Sequence, residues 1–327
     1  MASGVTHILL MKYLQSILPN DKLKMIFAGG RDFLQVGAVA PDLPYASIAD
    51  NDFFFSDQSD LANKFHCVRT HEIPLRALDN LRYMKGGLTK QEARYIFCFF
   101  VGYISHIVAD GITHPFIRDM VGDYKGHRTE HRRLEMQLDV LLFHYLTKYS
   151  GSPIELNYSN VHDELINFNY DAYPELRKVI ELFIETIQAT YGETYEAETI
   201  LGWVTGLHRM FDIAEGEHPA IYKNIGFIED FLFPNYEELR DKCDYLLTLR
   251  KPIDRQENFL KIDKIHFFDD VVPRFYDQFI PIANKAYDYI YNDGMPLTEA
   301  DVRPIDLDTG RILASNNNLD LRPSYWS

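Results

Sequence analysis

The sequence predicts an all-α fold, and three observations support this prediction. Hydrophobic residues recur with the period of a helix along most of the chain, whereas the alternating patterns of strands are few. No internal repeat or low-complexity linker divides the sequence. Of the 327 residues, 46% are hydrophobic and 14% are aromatic, so the helices have enough apolar surface to bury a large core.

The predicted helices follow one another with one long interruption. A first helix, capped by Thr6, ends near residue 18, and an irregular loop rich in Pro, Asp and Ser is expected from 33 to 60. Helical periodicity then defines the segments 71–84, 89–113, 127–149, 161–191, 197–215, 235–249 and 268–292. The helical period is lost after these segments, and "DTG" at 308–310 indicates the turn of a small hairpin.

Composition excludes several classes of protein. Acidic residues outnumber basic ones 48 to 33, and the resulting charge of -15 repels a phosphate backbone, so long nucleic acids are not expected partners. The 3 cysteines are scattered, which indicates neither a disulfide framework nor a thiolate zinc site. The N-terminal stretch lacks the pattern of a signal peptide, so a cytoplasmic location is expected.

The apolar run "YIFCFFVGYISHIVA" at 95–109 is shorter than the roughly 20 residues that span a bilayer, and it contains a histidine. We therefore expect a buried core helix in this region. Two glycines within the predicted helix 89–113 would let a neighbouring backbone approach closely: Gly102 and Gly111.

His106, Asp110 and His114 lie four residues apart along this core helix and therefore share one of its faces. The other faces are also apolar, so the three polar side chains cannot all reach water. A lone buried histidine is usually satisfied by a carboxylate, but three such groups in register favour a metal site, because burying an unpaired charge costs several kcal/mol. Pro115 disfavours helical geometry in the preceding residue, which predicts that His114 lies at the helix end.

A second helix repeats this arrangement. His131 and Glu135, also four residues apart, lie in the centre of the apolar stripe of the segment 127–149. A solvent-exposed pair at this spacing is the alternative, but the apolar neighbours argue against exposure. The His-Glu-x-x-His order of helical metalloproteases is absent, so that class of enzyme is not indicated.

Five stretches of the first 150 residues together resemble the zinc-dependent phospholipase C family and, more distantly, the S1/P1-type nucleases. These are "TH" at 6–7, "GAVAPDLPY" at 37–45, "FHCVRT" at 65–70, "HIVADGITHP" at 106–115 and "GHRTEHRRLEMQLD" at 126–139. The resemblance implies a multi-helix bundle like that of phospholipase C and P1 nuclease. We expect a metal-binding helical catalytic domain over 1–150 and a mainly helical extension with an irregular tail over 151–327.

The resemblance also implies a cluster of two or three Zn²⁺ ions and, position by position, their ligands. The ligands of one ion correspond to Asp42, His66, His106 and Asp110. Those of a second ion correspond to His114, His131 and Glu135. Asp110 would bridge to a third ion that is also bound by His7. Two alternatives stay open, because His71 competes with His66, and His127 competes with His114 or serves as an outer hydrogen-bond donor.

The implied activity is hydrolysis of a phosphodiester, in which metal-bound hydroxide attacks phosphorus and Asp42 acts as ligand and general base. The expected substrate is a phospholipid or another phosphodiester, reached through peripheral contact with a membrane. One alternative is a nuclease or nucleotide phosphodiesterase with the same metal cluster, and another is a non-enzymatic helical domain stabilised by metal. The sequence leaves the oligomeric state open.

Overall fold

The fold was analysed in a computed structural model that describes residues 4–49, 58–146, 175–215, 239, 259–262, 265–313 and 322–327. The prediction of an all-α fold is confirmed over these residues. The α-helices are α1 (Gly4–Ile17), α2 (Asp21–Gly29), α3 (Arg31–Val39), α4 (Ser59–Cys67), α5 (Glu72–Met84), α6 (Lys90–Val121), α7 (Arg128–His144), α8 (Leu176–Tyr191), α9 (Ala197–Glu215) and α10 (Val272–Tyr291). A 3₁₀ segment, Ala40–Ala49, follows α3, and a π-helical turn, Phe267–Val271, precedes α10.

Helix α6 forms the centre of the core, and α3, α5, α7, α8 and α10 pack around it. It begins with a capping box in which Thr89 and Glu92 bond to each other's backbone N–H groups. Every residue from 96 to 117 is buried. By length and composition α6 could cross a membrane, but its most apolar window is entirely buried inside the protein, as expected for a core helix.

The prediction of a loop at 33–60 is wrong over much of that range. Helix α3 continues to Val39 and passes directly into the 3₁₀ segment, and α4 begins at Ser59. Residues 33–39 are all buried, so this part of α3 has no polar face to produce an amphipathic pattern. Thr6 is likewise not a cap, because α1 already begins at Gly4.

Helix α6 also continues through Pro115 as far as Val121, so the prediction that His114 ends the helix is wrong. Proline removes the N–H that would bond to the carbonyl of Gly111. The C-terminal segment packs against this turn, where Trp326 Nε1 donates a hydrogen bond of 3.0 Å to the carbonyl of Ile112. This tertiary packing offsets the local preference, and His114 therefore stays on the same helical face as its upstream partners.

The predicted hairpin around 308–310 is confirmed as a short antiparallel bridge. Ile305 pairs with Ile312, and Asp306 N donates to the carbonyl of Arg311 at 2.9 Å. Gly310 adopts a positive φ of 64°, which a glycine accommodates without strain. Residues 161–174 of the predicted helix 161–191 lie outside the described residues, as does the predicted helix 235–249 apart from residue 239.

Two glycines allow α3 and α6 to cross in backbone contact. A Cβ atom on Gly37 would lie 2.0 Å from the carbonyl oxygen of Phe99, and one on Gly102 would lie 2.3 Å from that of Leu34. The expected close approach at Gly102 is therefore confirmed, whereas Gly111 faces the side chains of Ile305 and Tyr325 instead. The crossing brings the carbonyl of Ala38, the residue after Gly37, close to His106 on α6.

We predict that Gly102→Ala destabilises the fold by about 1–3 kcal/mol, because a backbone carbonyl cannot rotate away from the added methyl group as a side chain could. Gly86→Ala is the matched control, since no atom lies within 4 Å of the methyl group that it adds. Urea unfolding of both variants provides the measurement. Equal urea midpoints for Gly102→Ala and the native protein would contradict this prediction, because they would show that α3 and α6 can move apart without loss of stability.

Candidate metal centre

Five elements bring eight polar side chains to the middle of the bundle. The exposed fraction of each residue is 6% or less, which is unusual for groups of this polarity. They are His7 from α1, Asp42 from the 3₁₀ segment, His66 from α4, His106, Asp110 and His114 from α6, and His131 and Glu135 from α7. These are the eight residues that the sequence predicts as ligands, and the structure places all of them in buried positions on the elements that surround the core.

Asp110 lies at the centre of the cluster. Its Oδ1 is 3.2 Å from His7 Nε2 and 3.7 Å from His114 Nε2. Its Oδ2 is 3.0 Å from His106 Nε2 and 3.7 Å from His66 Nε2. Each carboxylate oxygen therefore faces a different pair of imidazoles, as a carboxylate that bridges two cations would.

The remaining carboxylates approach different imidazoles of the cluster. Asp42 Oδ1 is 3.2 Å from His66 Nε2, and Glu135 Oε1 is 3.8 Å from His114 Nε2. Potential ligand atoms lie within 4.8 Å of one another in two groups: His7, Asp42 and His106, and His66, His106 and Asp110. The His7 and His106 rings stack with centroids 4.1 Å apart.

Backbone carbonyls orient three of the histidines. His106 Nδ1 lies 2.8 Å from the carbonyl of Ala38, and His66 Nδ1 lies 2.7 Å from that of Ala62. When these nitrogens donate to the carbonyls, each Nε2 atom is left with a lone pair that points into the cluster. His131 is turned the other way, with Nε2 2.6 Å from the carbonyl of Gly122. Imidazoles that bind metals are commonly oriented in this way.

Several buried atoms of the cluster make no hydrogen bond within the described residues. They are both ring nitrogens of His7 and His114, Nδ1 of His131, Oδ1 of Asp42 and both oxygens of Asp110. Burying such groups without a partner is costly, and native structures rarely do so. Among these atoms His7 Nε2 approaches Asp110 Oδ1, and Asp42 lies in the same group of potential ligand atoms as His7, so a cation there would satisfy several of them together.

The charges around His106 favour a positive charge in the cluster. Burial lowers the pKa of His106, but the negative charges of Asp110 and Asp42 outweigh burial and raise it above the ordinary value. A proton on His106 Nε2 can be shared with only one neighbour, although both Asp110 Oδ2 and His66 Nε2 lie within 3.4 Å. A metal ion between them could be bound by both atoms.

The pKa values of His114, His131 and Glu135 also favour a cation in the cluster. Burial lowers the pKa of His114 to about 3 and that of His131 to about 4, so both imidazoles are neutral at pH 7 and can donate a lone pair. Burial also raises the pKa of Glu135 to about 8. A divalent cation stabilises ionised carboxylates and neutral imidazoles at the same time.

The donor set fits zinc. It consists of imidazole nitrogens and carboxylate oxygens, as in many catalytic zinc sites. The two cysteines in the described residues do not contribute to the close ligand groups, because Cys98 Sγ contacts the carbonyl of Ile26 and Cys67 is exposed. The residues therefore match the metal expected from the sequence.

The two competing histidines lie in other environments. His71 Nε2 is 3.3 Å from Glu299 Oε1, whereas His66 approaches both Asp42 and Asp110. His127 is partly exposed, and its Nδ1 is 3.3 Å from the carbonyl of Asp123. These positions favour His66 and His114, although the assignment of individual ligands stays a prediction.

Sequence reasoning missed the groups that hold the ligands in place. The carbonyls of Ala38, Ala62 and Gly122 carry no signal in the sequence, because any residue offers a carbonyl. The hairpin was also missed as a support: Leu307 N donates 2.8 Å to the carbonyl of His66. Asp139 was missed as well, although its position four residues after Glu135 places it on the same face of α7.

A family model described as zinc dependent phospholipase C matches residues 6–197. This is more than half of the chain, and it includes all eight residues of the cluster. The match extends beyond the first 150 residues that carry the resemblance in the sequence, whereas the division of the chain at that point stays a prediction. No curated protein and no solved structure matches the chain.

Proposed function

The chain belongs to the zinc-dependent phospholipase C family, and from this we propose that it hydrolyses a phosphodiester bond of a phospholipid. The observation that carries the proposal is the convergence of buried, unpaired imidazole and carboxylate atoms around Asp110. A purely structural cluster would pair these atoms with donors of the protein. The unpaired atoms therefore support a centre that binds zinc for chemistry.

Zinc, when bound, acts as a Lewis acid and makes water a stronger acid, with a pKa of about 7 in well-studied enzymes. The protein residues would have two tasks around the metal, which are to bind it and to orient its ligands. His66, His106 and Asp110 bind the metal, together with the other members of the cluster. The carbonyls of Ala38 and Ala62 keep the two imidazoles in the required orientation.

Asp42 is the residue that we assign to proton transfer. Burial raises its pKa, but the neighbouring His106 and His66 outweigh burial and hold the pKa below its ordinary value, so the group is ionised at neutral pH. Its Oδ1 lies 3.2 Å from His66 Nε2. If His66 binds the metal through Nε2, that nitrogen has no proton to donate, and Asp42 Oδ1 can then orient a water molecule and accept its proton. A 3₁₀ segment carries Asp42, at the start of the Pro-containing stretch 41–45.

We expect hydrolysis of phosphatidylcholine, and of the chromogenic diester bis-p-nitrophenyl phosphate, by the zinc-loaded protein and not by the chelated protein. Single-stranded DNA in a parallel reaction tests the nuclease alternative, which the charge of -15 disfavours for long strands. Cleavage of DNA but not of lipid would favour the nuclease. Cleavage of none of the three by protein with measured zinc would favour the non-enzymatic helical domain.

For Asp42→Asn we predict a loss of about 10²-fold or more in kcat, the scale of a positioned general base. The amide keeps an oxygen that can bind metal but cannot accept the proton, so at least two zinc ions should remain by elemental analysis. The exposed Asp79→Asn, on α5, is the control for the chemical change itself. Full activity of Asp42→Asn would refute the role of this aspartate.

A further inference from the structure

Helix α7 presents three ionisable side chains on one buried face. His131, Glu135 and Asp139 are spaced by four residues, and their exposed fractions are 0%, 4% and 0%. The first two belong to the metal cluster. Asp139 turns instead to α1, where its Oδ1 accepts hydrogen bonds from the backbone N–H of Thr6 at 2.9 Å and from Thr6 Oγ1 at 2.5 Å.

This pair of hydrogen bonds fixes the beginning of α1. The first N–H groups of a helix have no partner within the helix, and a carboxyl group there stabilises the helix end. Asp139 provides that partner from a position 133 residues away in sequence. The bonds therefore set both the position and the rotation of the first turn of α1 relative to α7.

The residue next to Thr6 is His7, and no backbone carbonyl orients its imidazole within the described residues. By contrast, His66, His106 and His131 each contact a carbonyl. Stacking on His106 restricts the tilt of the ring but provides no directional hydrogen bond. The location of His7 Nε2, 3.2 Å from Asp110 Oδ1, thus depends on where the α1 backbone lies.

We propose that Asp139 is a positioning residue for His7, and that the Asp139–Thr6 pair sets how tightly the His7 side of the cluster binds zinc. The inference depends on the proposed zinc centre, because only a bound cation makes the position of the His7 ring measurable. Asp139 itself touches neither substrate nor metal in this scheme. Its effect passes through the backbone of Thr6 to the adjacent imidazole.

Three substitutions separate the hydrogen bonds from the volume of the side chain. Asp139→Asn keeps an oxygen that can accept both bonds from Thr6. Asp139→Leu has a similar volume and removes the acceptor. Thr6→Val removes only the hydroxyl donor and keeps the backbone N–H bond, so it tests the same contact with a smaller change.

The experiment is a zinc titration of the full chain against a chelating indicator, with zinc content determined by elemental analysis. His7→Ala defines which zinc depends on His7. We expect Asp139→Leu to weaken that zinc by about 10- to 100-fold, the usual effect of losing an outer support. Thr6→Val should weaken it several-fold, and Asp139→Asn should resemble the native protein. In the double variant with His7→Ala, Asp139→Leu should have no further effect.

Asp119→Leu is the matched structural control. Asp119 is another buried carboxylate that accepts backbone N–H bonds, from Phe259 and Leu260, and it lies on α6. It should lower the melting temperature without weakening the His7-dependent zinc. A loss of that zinc equal to the loss in Asp139→Leu would overturn the inference, because it would show a general effect of core damage.

Other results also decide the question. Unchanged zinc affinity in Asp139→Leu, or additive losses in the double variant, would overturn the role of Asp139. If Asp139→Leu does not fold, unchanged affinity in Thr6→Val would overturn it in the same way. No zinc bound to the native protein would instead overturn the proposed function, so the two failures are distinguishable.

Discussion

Asp110→Asn should lower zinc affinity by more than roughly 100-fold, beyond the range typical of outer supports, and should reduce hydrolysis in proportion. Each oxygen of Asp110 faces two imidazole nitrogens, so this one carboxylate approaches the histidines of three helices. The amide replaces one oxygen by an NH₂ group, which has no lone pair for a cation. Elemental analysis and the diester assay measure the two effects.

Asp119→Asn, on the same helix, is the control for Asp110→Asn. This buried residue contacts the backbone of Phe259 and Leu260, and its amide variant should keep its zinc and its activity. If Asp110→Asn retained the native zinc content and turnover, a central bridging role for Asp110 would be wrong.

Removal of zinc should lower the melting temperature by on the order of 10 °C. A ligand that binds only the folded state stabilises it by about 4 kcal/mol when its free concentration is 1,000 times its Kd, and proteins of this size shift by a few degrees per kcal/mol. The chelated protein also has to keep Asp42, Asp110 and Glu135 buried together without their cation. Differential scanning calorimetry before and after chelation measures the shift.

Two controls accompany the chelation experiment. Added zinc should restore the original melting temperature, and Asp110→Asn should show little response to chelator, because it has little zinc to lose. An unchanged transition after verified removal of zinc would argue against a core that is organised by metal.

Part of the candidate site could be predicted because its signals are local, whereas His7, Asp42 and His66 were expected as ligands from the family resemblance. His106 and Asp110 lie one helical turn apart in an apolar stretch, and so do His131 and Glu135. Spacing of this kind places side chains on one face before any tertiary structure is known. A buried polar face then needs a partner, and the structure does bring these four residues into the buried core.

Features that depend on distant contacts could not be predicted in the same way. The sequence contains the proline signal that ends helices, but packing of Trp326 and its neighbours on Ile112 holds α6 together beyond it. Helix α3 was missed because its residues from 33 onward are buried on all sides and leave no amphipathic pattern. Asp139 had the right spacing, but Thr6, its partner, lies 133 residues away.

The hairpin that supports His66 is translated after the residues that it contacts, so these contacts cannot form while the first part of the chain is being made. Thr70 Oγ1 donates to the carbonyl of Ile305, a residue that the ribosome adds 235 positions later, and Leu307 N reaches the carbonyl of His66. All eight predicted ligands are therefore translated long before the segment that braces them. A nascent chain that already contains every residue matched by the family, 6–197, still lacks these two bonds. The final geometry of the centre thus cannot include these two bonds until the hairpin has been translated.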